Sequence, residues 1–139
     1  MAQDCHCRDS CNAGLWVCIE RKESQMSVRV TYEHELGELK QDLKEMAHMV
    51  ESAIEQTFTA FEDHDYMMAE DVIKGDRTVN DVERAIESRC LSLILRQQPV
   101  ASDLRQVSTA LKVVTDLERI GDHASDIAEL ILRIKSEHA

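Results

Sequence analysis

Proline is almost absent from this chain: Pro99 is the single example in 139 residues, and glycine occurs four times. A chain so poor in helix breakers, with no sustained alternation of β-branched residues, excludes a sheet protein and points to an all-α fold. Aromatic residues make up only 4%, so the core has to be built from aliphatic and small side chains. No apolar run approaches the roughly 18 residues of a membrane-spanning helix. Nor does the start show the basic, apolar and small-residue succession of a signal peptide. Positive charge is scarce too: 16 Lys and Arg stand against 27 Asp and Glu, giving a net charge of −11 and a sequence pI of about 4.9. That balance excludes nucleic acid, whose phosphates need a basic face. It suits a cation binder or a solvated helical surface. The expectation is one cytoplasmic domain without membrane insertion.

Four of the five cysteines, Cys5, Cys7, Cys11 and Cys18, crowd into residues 1–25 with His6 among them. Their spacing matches no zinc motif, since zinc sites show paired short spacings. Reduced thiols are the expectation in a cytoplasmic chain. This stretch reads as a leader, flexible or artefactual, placed before a domain at 26–139.

Helical periodicity organises the rest. Tyr32, Leu36, Leu39, Leu43, Met46, Val50, Ala53, Thr57 and Phe61 alternate by threes and fours and predict a first helix from near Thr31 to Glu62. Asp65 is placed to cap a second helix, Tyr66 to about Gln97. The seam of this helix reads Val72, Asp76, Val79, Glu83, Ile86, Cys90 and Leu93. Met67 and Met68 read as core filling, Gly75 as a point of close approach, and Cys90 as a small buried hydrophobe. Pro99 fits the following turn, Ser102 can cap a third helix ending near Lys135, and the short connections make neighbouring helices antiparallel. Leu104, Val107, Leu111 and Val114 lead along that third helix to Glu118, a carboxylate where an apolar residue belongs.

The acids are the informative conflict. Glu118, Asp122 and Asp126 stack at four-residue intervals, where like charges repel and burial is costly. On the second helix Asp76 and Asn80 stand at the same interval. Two helices side by side, each offering such a pair, supply four oxygen donors of the kind hard cations favour. The chain has no Glu-x-x-His motif, which removes support for a ferritin-like oxidase. The competing reading pairs these acids with Arg105 and Arg119 or leaves them at the solvent edge. Arg105, Lys112 and Arg119 recur every seven residues, and this row is read as salt-bridge partners for acids such as Glu83 and Glu87 on the second helix, in preference to a phosphate-binding row.

The run Arg96-Gln97-Gln98-Pro99-Val100-Ala101-Ser102-Asp103-Leu104-Arg105, then Leu111-Lys112, then Asp116-Leu117-Glu118-Arg119-Ile120-Gly121-Asp122, closely resembles the PhoU family. These are accessory and regulatory proteins of bacterial phosphate uptake, and the likeness covers about Met26 to Lys135. The resemblance implies tandem three-helix bundles carrying Glu/Asp-x-x-x-Asp motifs that bind metal. Glu118-x-x-x-Asp122 matches that motif. Asp76-x-x-x-Asn80 matches in part, with Asn in place of the second acid. Asp126 stands where the family often has Asn and would enlarge the acidic site. Metal ligands by this reading are Asp76, Asn80, Glu118 and Asp122, for a divalent or trivalent ion among Fe, Mn, Mg, Ca and Zn.

By resemblance the chain is a negative regulator of phosphate uptake and phosphate-starvation signalling, not an enzyme. Its implied partners are the ATPase subunit of the phosphate transporter and the phosphate-sensing histidine kinase, which would hold it peripherally at the inner membrane. Only the first three-helix repeat is recognisable, so a homo-oligomer, most simply a homodimer, is expected to cover the face that otherwise meets a second bundle. The alternatives are a metal-dependent enzyme or metal store on the same carboxylates, or an inactive half-protein.

Overall fold

The computed structural model describes residues 10–97 and 101–138, with side chains described for 29–96 and 101–136. They form three helices, α1 (Ser10–Asp63), α2 (Tyr66–Gln97) and α3 (Ala101–His138), and no strand occurs among the described residues. The chain divides into two compact units, Met1–Glu35 and Leu36–Ala139. In the first, the backbone is helical from Ser10, earlier than the expected start near Thr31. No proline interrupts residues 10–63, and Glu20, Arg21, Lys22, Glu23, Gln25 and Met26 are all good helix formers. The thiols at 5, 7, 11 and 18, and with them the leader and zinc readings, lie outside the described side chains.

The second unit is an antiparallel three-helix bundle. Its helices end for local reasons. His64 takes a left-handed φ of 56°, and the Asp65 N–H donates to the Ala60 carbonyl at 3.0 Å. This six-to-one bond and left-handed residue close α1 as a Schellman motif, a place where glycine is the usual occupant. Asp65 then caps α2 as expected, its Oδ1 accepting from the Met67 and Met68 N–H groups at 3.1 Å each. Ser102 does not cap α3: it lies inside the helix with its hydroxyl 3.4 Å from Asp103 Oδ1. Pro99 is outside the described residues.

Leu39, Met46, Ile86, Leu93, Val107 and Val114 are fully buried, each contributing about 1.5–3 kcal/mol of apolar burial. The α2 seam is as expected, with Val72, Val79, Ile86, Cys90 and Leu93 all inside. Burial, then the charge of Glu87, pushes the Cys90 thiol up and makes it an inert core residue. On α1 the line holds as far as Thr57. Thr57 satisfies its buried hydroxyl by donating to the Ala53 carbonyl at 2.7 Å, with the Ala124 carbonyl at 3.3 Å across the interface. Phe61 is exposed, and Ala60 takes the inward place.

The α3 line shifts by more. Val107, Ala110, Val114, Gly121, Ala124, Ala128 and Ile131 face inward, whereas Leu104 is exposed and Leu111 half-buried. Small residues win these positions because α3 packs closely against two neighbours. A side chain on Gly121 would begin 3.4 Å from Val79 and 3.7 Å from Val50. Gly75, by contrast, faces open space, and Met67 lies outside the core while Met68 packs against the cluster of Ala60, Ala69 and Val72. Beside that cluster Lys135 Nζ sits 4.4 Å over the Tyr66 ring.

Candidate functional site

The α2–α3 packing brings both predicted acid pairs to one place. Val79 and Gly121 touch, so their chain neighbours Asn80 and Asp122 are carried to the same level of the interface. Asp76, one turn before Asn80, comes within hydrogen-bonding reach of Asp122, and Asp122 in turn reaches Glu118. Asn80 Nδ2 donates to Asp76 Oδ2 at 3.5 Å. Glu118 does not continue the core seam. It flanks that seam on the α2 side and is half-buried, as are Asp76, Asn80, Glu83 and Asp122.

Electrostatics show the same crowding. Burial raises the Asp76 carboxyl above its usual range, and the charge and hydrogen bond of Asp122 push it further. Burial is also the main cause for Glu118, followed by Asp122 and Glu83. Glu83 is raised by burial and by Glu87 and Asp122, with Arg84 opposing. Glu83 is therefore a fifth member of the site. It lies seven residues after Asp76 on the same seam, and that spacing was the signal that could have identified it.

Among the described residues no basic side chain forms an ion pair with these acids, and Arg84 only offsets part of the rise at Glu83. Arg105, Lys112 and Arg119 are exposed and take part in no ion pair among the described residues, so the expected bridges to Glu83 and Glu87 do not form. Arg84 reaches Asp81 instead, at 3.9 Å. The interhelical bridge that does form joins α2 to α1: Arg89 meets Glu38 at 3.1 Å and Asp42 at 3.2 Å. Asp126 points to solvent beside His123, 4.0 Å away, and adds only a weak field at Asp76.

Two buried oxygens in the site, Asp76 Oδ1 and Asn80 Oδ1, have no hydrogen-bond partner. Unpartnered carboxylate and carbonyl oxygens beside further carboxylates form the all-oxygen, anionic donor set that suits Mg, Ca, Mn or Fe better than a thiolate-seeking ion. Among the described residues, no three acid, His or Cys side chains already converge as a ligand shell. Chemically, the arrangement can hold a cation, or it can hold protons shared between carboxyls. Asp76 also lines a cavity of about 470 Å³, with Met49, Ala53, Val72, Gly75, Val79 and, from α3, Gly121.

A family model described as the PhoU domain matches residues 43–131. The chain is 46% identical over 110 residues to the phosphate-specific transport system accessory protein PhoU homolog of Clostridium acetobutylicum, a match covering 78% of this chain and 50% of that protein. Identity to the Aquifex aeolicus homolog is 42% over 103 residues, covering 74% and 47%. For the Escherichia coli accessory protein it is 40% over 98 residues, covering 70% and 41%. The chain thus spans half, or a little less, of the length of these curated relatives.

Proposed function

Since this chain belongs to the PhoU domain family, we propose that it is an accessory protein of phosphate transport that damps phosphate uptake and phosphate-starvation signalling. The relatives' names attach them to a phosphate-specific transport system, and the shared domain carries that role to this chain as a proposal. One observation supports a metal-braced form of it. Five polar side chains, four of them acids, gather at the α2–α3 interface with no ion-pair partner among the described residues, and a bound cation would supply positive charge there. Asp76, Asn80, Glu118 and Asp122 would hold the ion, with Glu83 beside them. The ion's part is electrostatic: it draws the acids of two helices together and stiffens the surface they share.

The action proposed is docking rather than turnover. The proposed partners are the ATPase subunit of the transporter and the phosphate-sensing histidine kinase, met on the cytoplasmic side of the membrane. No helix among the described residues is long and apolar enough to cross a membrane. His123, the base nearest the site in sequence, turns to solvent beside Asp126 instead of towards the acids.

The test expresses the full chain in a strain lacking its own regulator and measures a phosphate-repressed reporter in high phosphate. Repression restored by the wild type, but not by Glu118→Ala/Asp122→Ala, supports the reading. Metal analysis of both proteins separates its two halves. Repression without bound metal leaves the regulatory role standing and removes the metal from it.

A further inference from the structure

Gly75 interrupts a packing line of α2. Met68 and Val82, seven residues to either side of it, are both half-buried apolar residues. Glycine at the matching place weakens a helix interior, and neither usual reason for one is present. No glycine among the described residues has a positive φ, and a Cβ at Gly75 would meet nothing within 4 Å. The missing side chain leaves room instead. Gly75 lines the cavity of about 470 Å³ that α1 and α2 wall and that α3 reaches at Gly121. That volume lies within the range of roughly 300–1,000 Å³ typical of small-molecule sites.

The lining sorts by depth. Val72, Val79 and Gly121 are buried and Met49 and Ala53 half-buried, so the inner wall is apolar. The exposed rim is polar. Ser52 and Gln56, hydrogen-bonded to each other at 3.0 Å, form it on the α1 side, and Asp71 and Thr78 on the α2 side. Among the described residues no Lys or Arg lines the cavity, and His48, its other ionisable group, sits 3.3 Å from Glu51. Phosphate and nucleotides therefore find no strong counter-charge here. Two carboxylates do border it: Asp71 at the rim and the half-buried Asp76 further in. Lys74 lies 3.7 Å from Asp71, an exposed pair of little weight. The two acids are five residues apart in sequence, which is about 7.5 Å along the helix axis, roughly the reach of a four- or five-carbon diamine. Val72 and Gly75 lie between them.

A ligand complementary to that order is positive at each end and hydrocarbon in the middle. We propose that the cavity binds a short aliphatic diamine in its doubly protonated form. One ammonium group lies towards Asp76 and the other at the rim, between Asp71 and the oxygens of Ser52 and Gln56, with the methylenes against Val72 and Met49. Alkylamines, like the lysine side chain, carry their charge at neutral pH. Gly75 makes the space, so the helix backbone itself forms part of the wall. The site goes beyond the regulatory reading and needs no metal, so either can fail alone.

The experiment is equilibrium dialysis of the full chain, stripped of metal, against radiolabelled pentane-1,5-diamine. It is run at about 0.15 M salt, which screens diffuse attraction to an acidic protein. One saturable site per chain is expected. Pentan-1-amine lacks the second charge and should compete at least about tenfold more weakly, the scale of one charge-assisted hydrogen bond. Gly75→Leu should keep the helical circular dichroism and lose diamine binding, because its side chain enters the space. Asp71→Asn, at an exposed position, should weaken binding several-fold without touching the fold. Absence of saturable binding to the wild type overturns the proposal. So does binding undiminished in Gly75→Leu, which would mark general counter-ion attraction to the acidic surface. Equal affinity for the two amines, or an indifferent Asp71→Asn, overturns the two-ended geometry.

Discussion

The carboxyls of Asp76 on α2 and Asp122 on α3 approach within hydrogen-bonding reach of each other across the helix interface. The charge of Asp122, added to burial, disfavours ionisation of Asp76. A proton on Asp76 or a cation beside the pair would relieve that repulsion. Much of what the molecule is expected to do follows from this pair.

Stability should rise, not fall, on mild acidification. Asp76, Glu83 and Glu118 all have carboxyl pKa values raised in the fold, so between the unfolded values near 3.8–4.5 and the raised folded values the native state binds more protons than the unfolded chain. The linkage slope is then negative: stability is gained as pH falls into that window from neutrality and lost again as pH rises through the folded values. Urea denaturation of metal-free protein at pH 7 and at pH 5 checks the sign. A saturating hard cation should flatten the difference.

Asp122→Asn should separate two properties that usually move together. Asp122 raises Asp76, Glu83 and Glu118 alike. Removing its charge therefore relieves repulsion and should stabilise metal-free protein by a few tenths of a kcal/mol per like-charge neighbour, about 0.5–1 kcal/mol together. It should also abolish any rise in melting temperature on adding Mn²⁺ or Mg²⁺. Melting curves with and without ion, for wild type and variant, read both effects.

Gly75→Ala should be tolerated and stabilising. The glycine is helical and exposed, and a methyl there meets nothing within 4 Å. The gain is the helix-interior preference for Ala over Gly, about 0.5–1 kcal/mol. Gly121→Leu should cost about 1–3 kcal/mol, because the added side chain enters a packed contact with Val79 and Val50. Denaturation midpoints of the two variants should move in opposite directions.

His64→Gly addresses the turn between α1 and α2. A left-handed φ of 56° in a non-glycine residue costs roughly 1–2 kcal/mol, partly offset by the greater freedom glycine brings to the unfolded chain. A net gain of about 0.5 kcal/mol is expected, and His64→Val should instead destabilise because a β-branched side chain resists that conformation.

Most of the fold was legible because helices of this length repeat their signal many times. The α2 bounds, the Asp65 cap and the inward places of Val72, Val79, Ile86, Cys90 and Leu93 all follow from spacing. Both acid pairs were legible for the same reason, since four-residue spacing states which residues share a helix face. What stayed hidden depends on neighbours that periodicity does not contain. The inward line of α3 is carried by Ala110, Gly121, Ala124 and Ala128, whose small size matters only once two other helices press on them. Leu104 and Phe61 look like core by hydropathy and are exposed, because a hydrophobic residue states a preference for burial but not which surface will satisfy it. Lone cations were read as bridge partners for acids across the interface. Arg89 shows that such a bridge depends on the rotation of each helix, which one helix's spacing leaves open.

Gly121 packs one hydrogen atom against Val79 where most residues would place a side chain. It therefore bears on the acid site: the clearance between α2 and α3 at this level, near Asp76 and Asp122, depends on a residue that carries no charge. A chain keeping every acid but bearing a bulkier residue at 121 is expected to retain the full set of donors and hold them farther apart. Crowding of the acids in this bundle is thus a property of clearance as well as of charge.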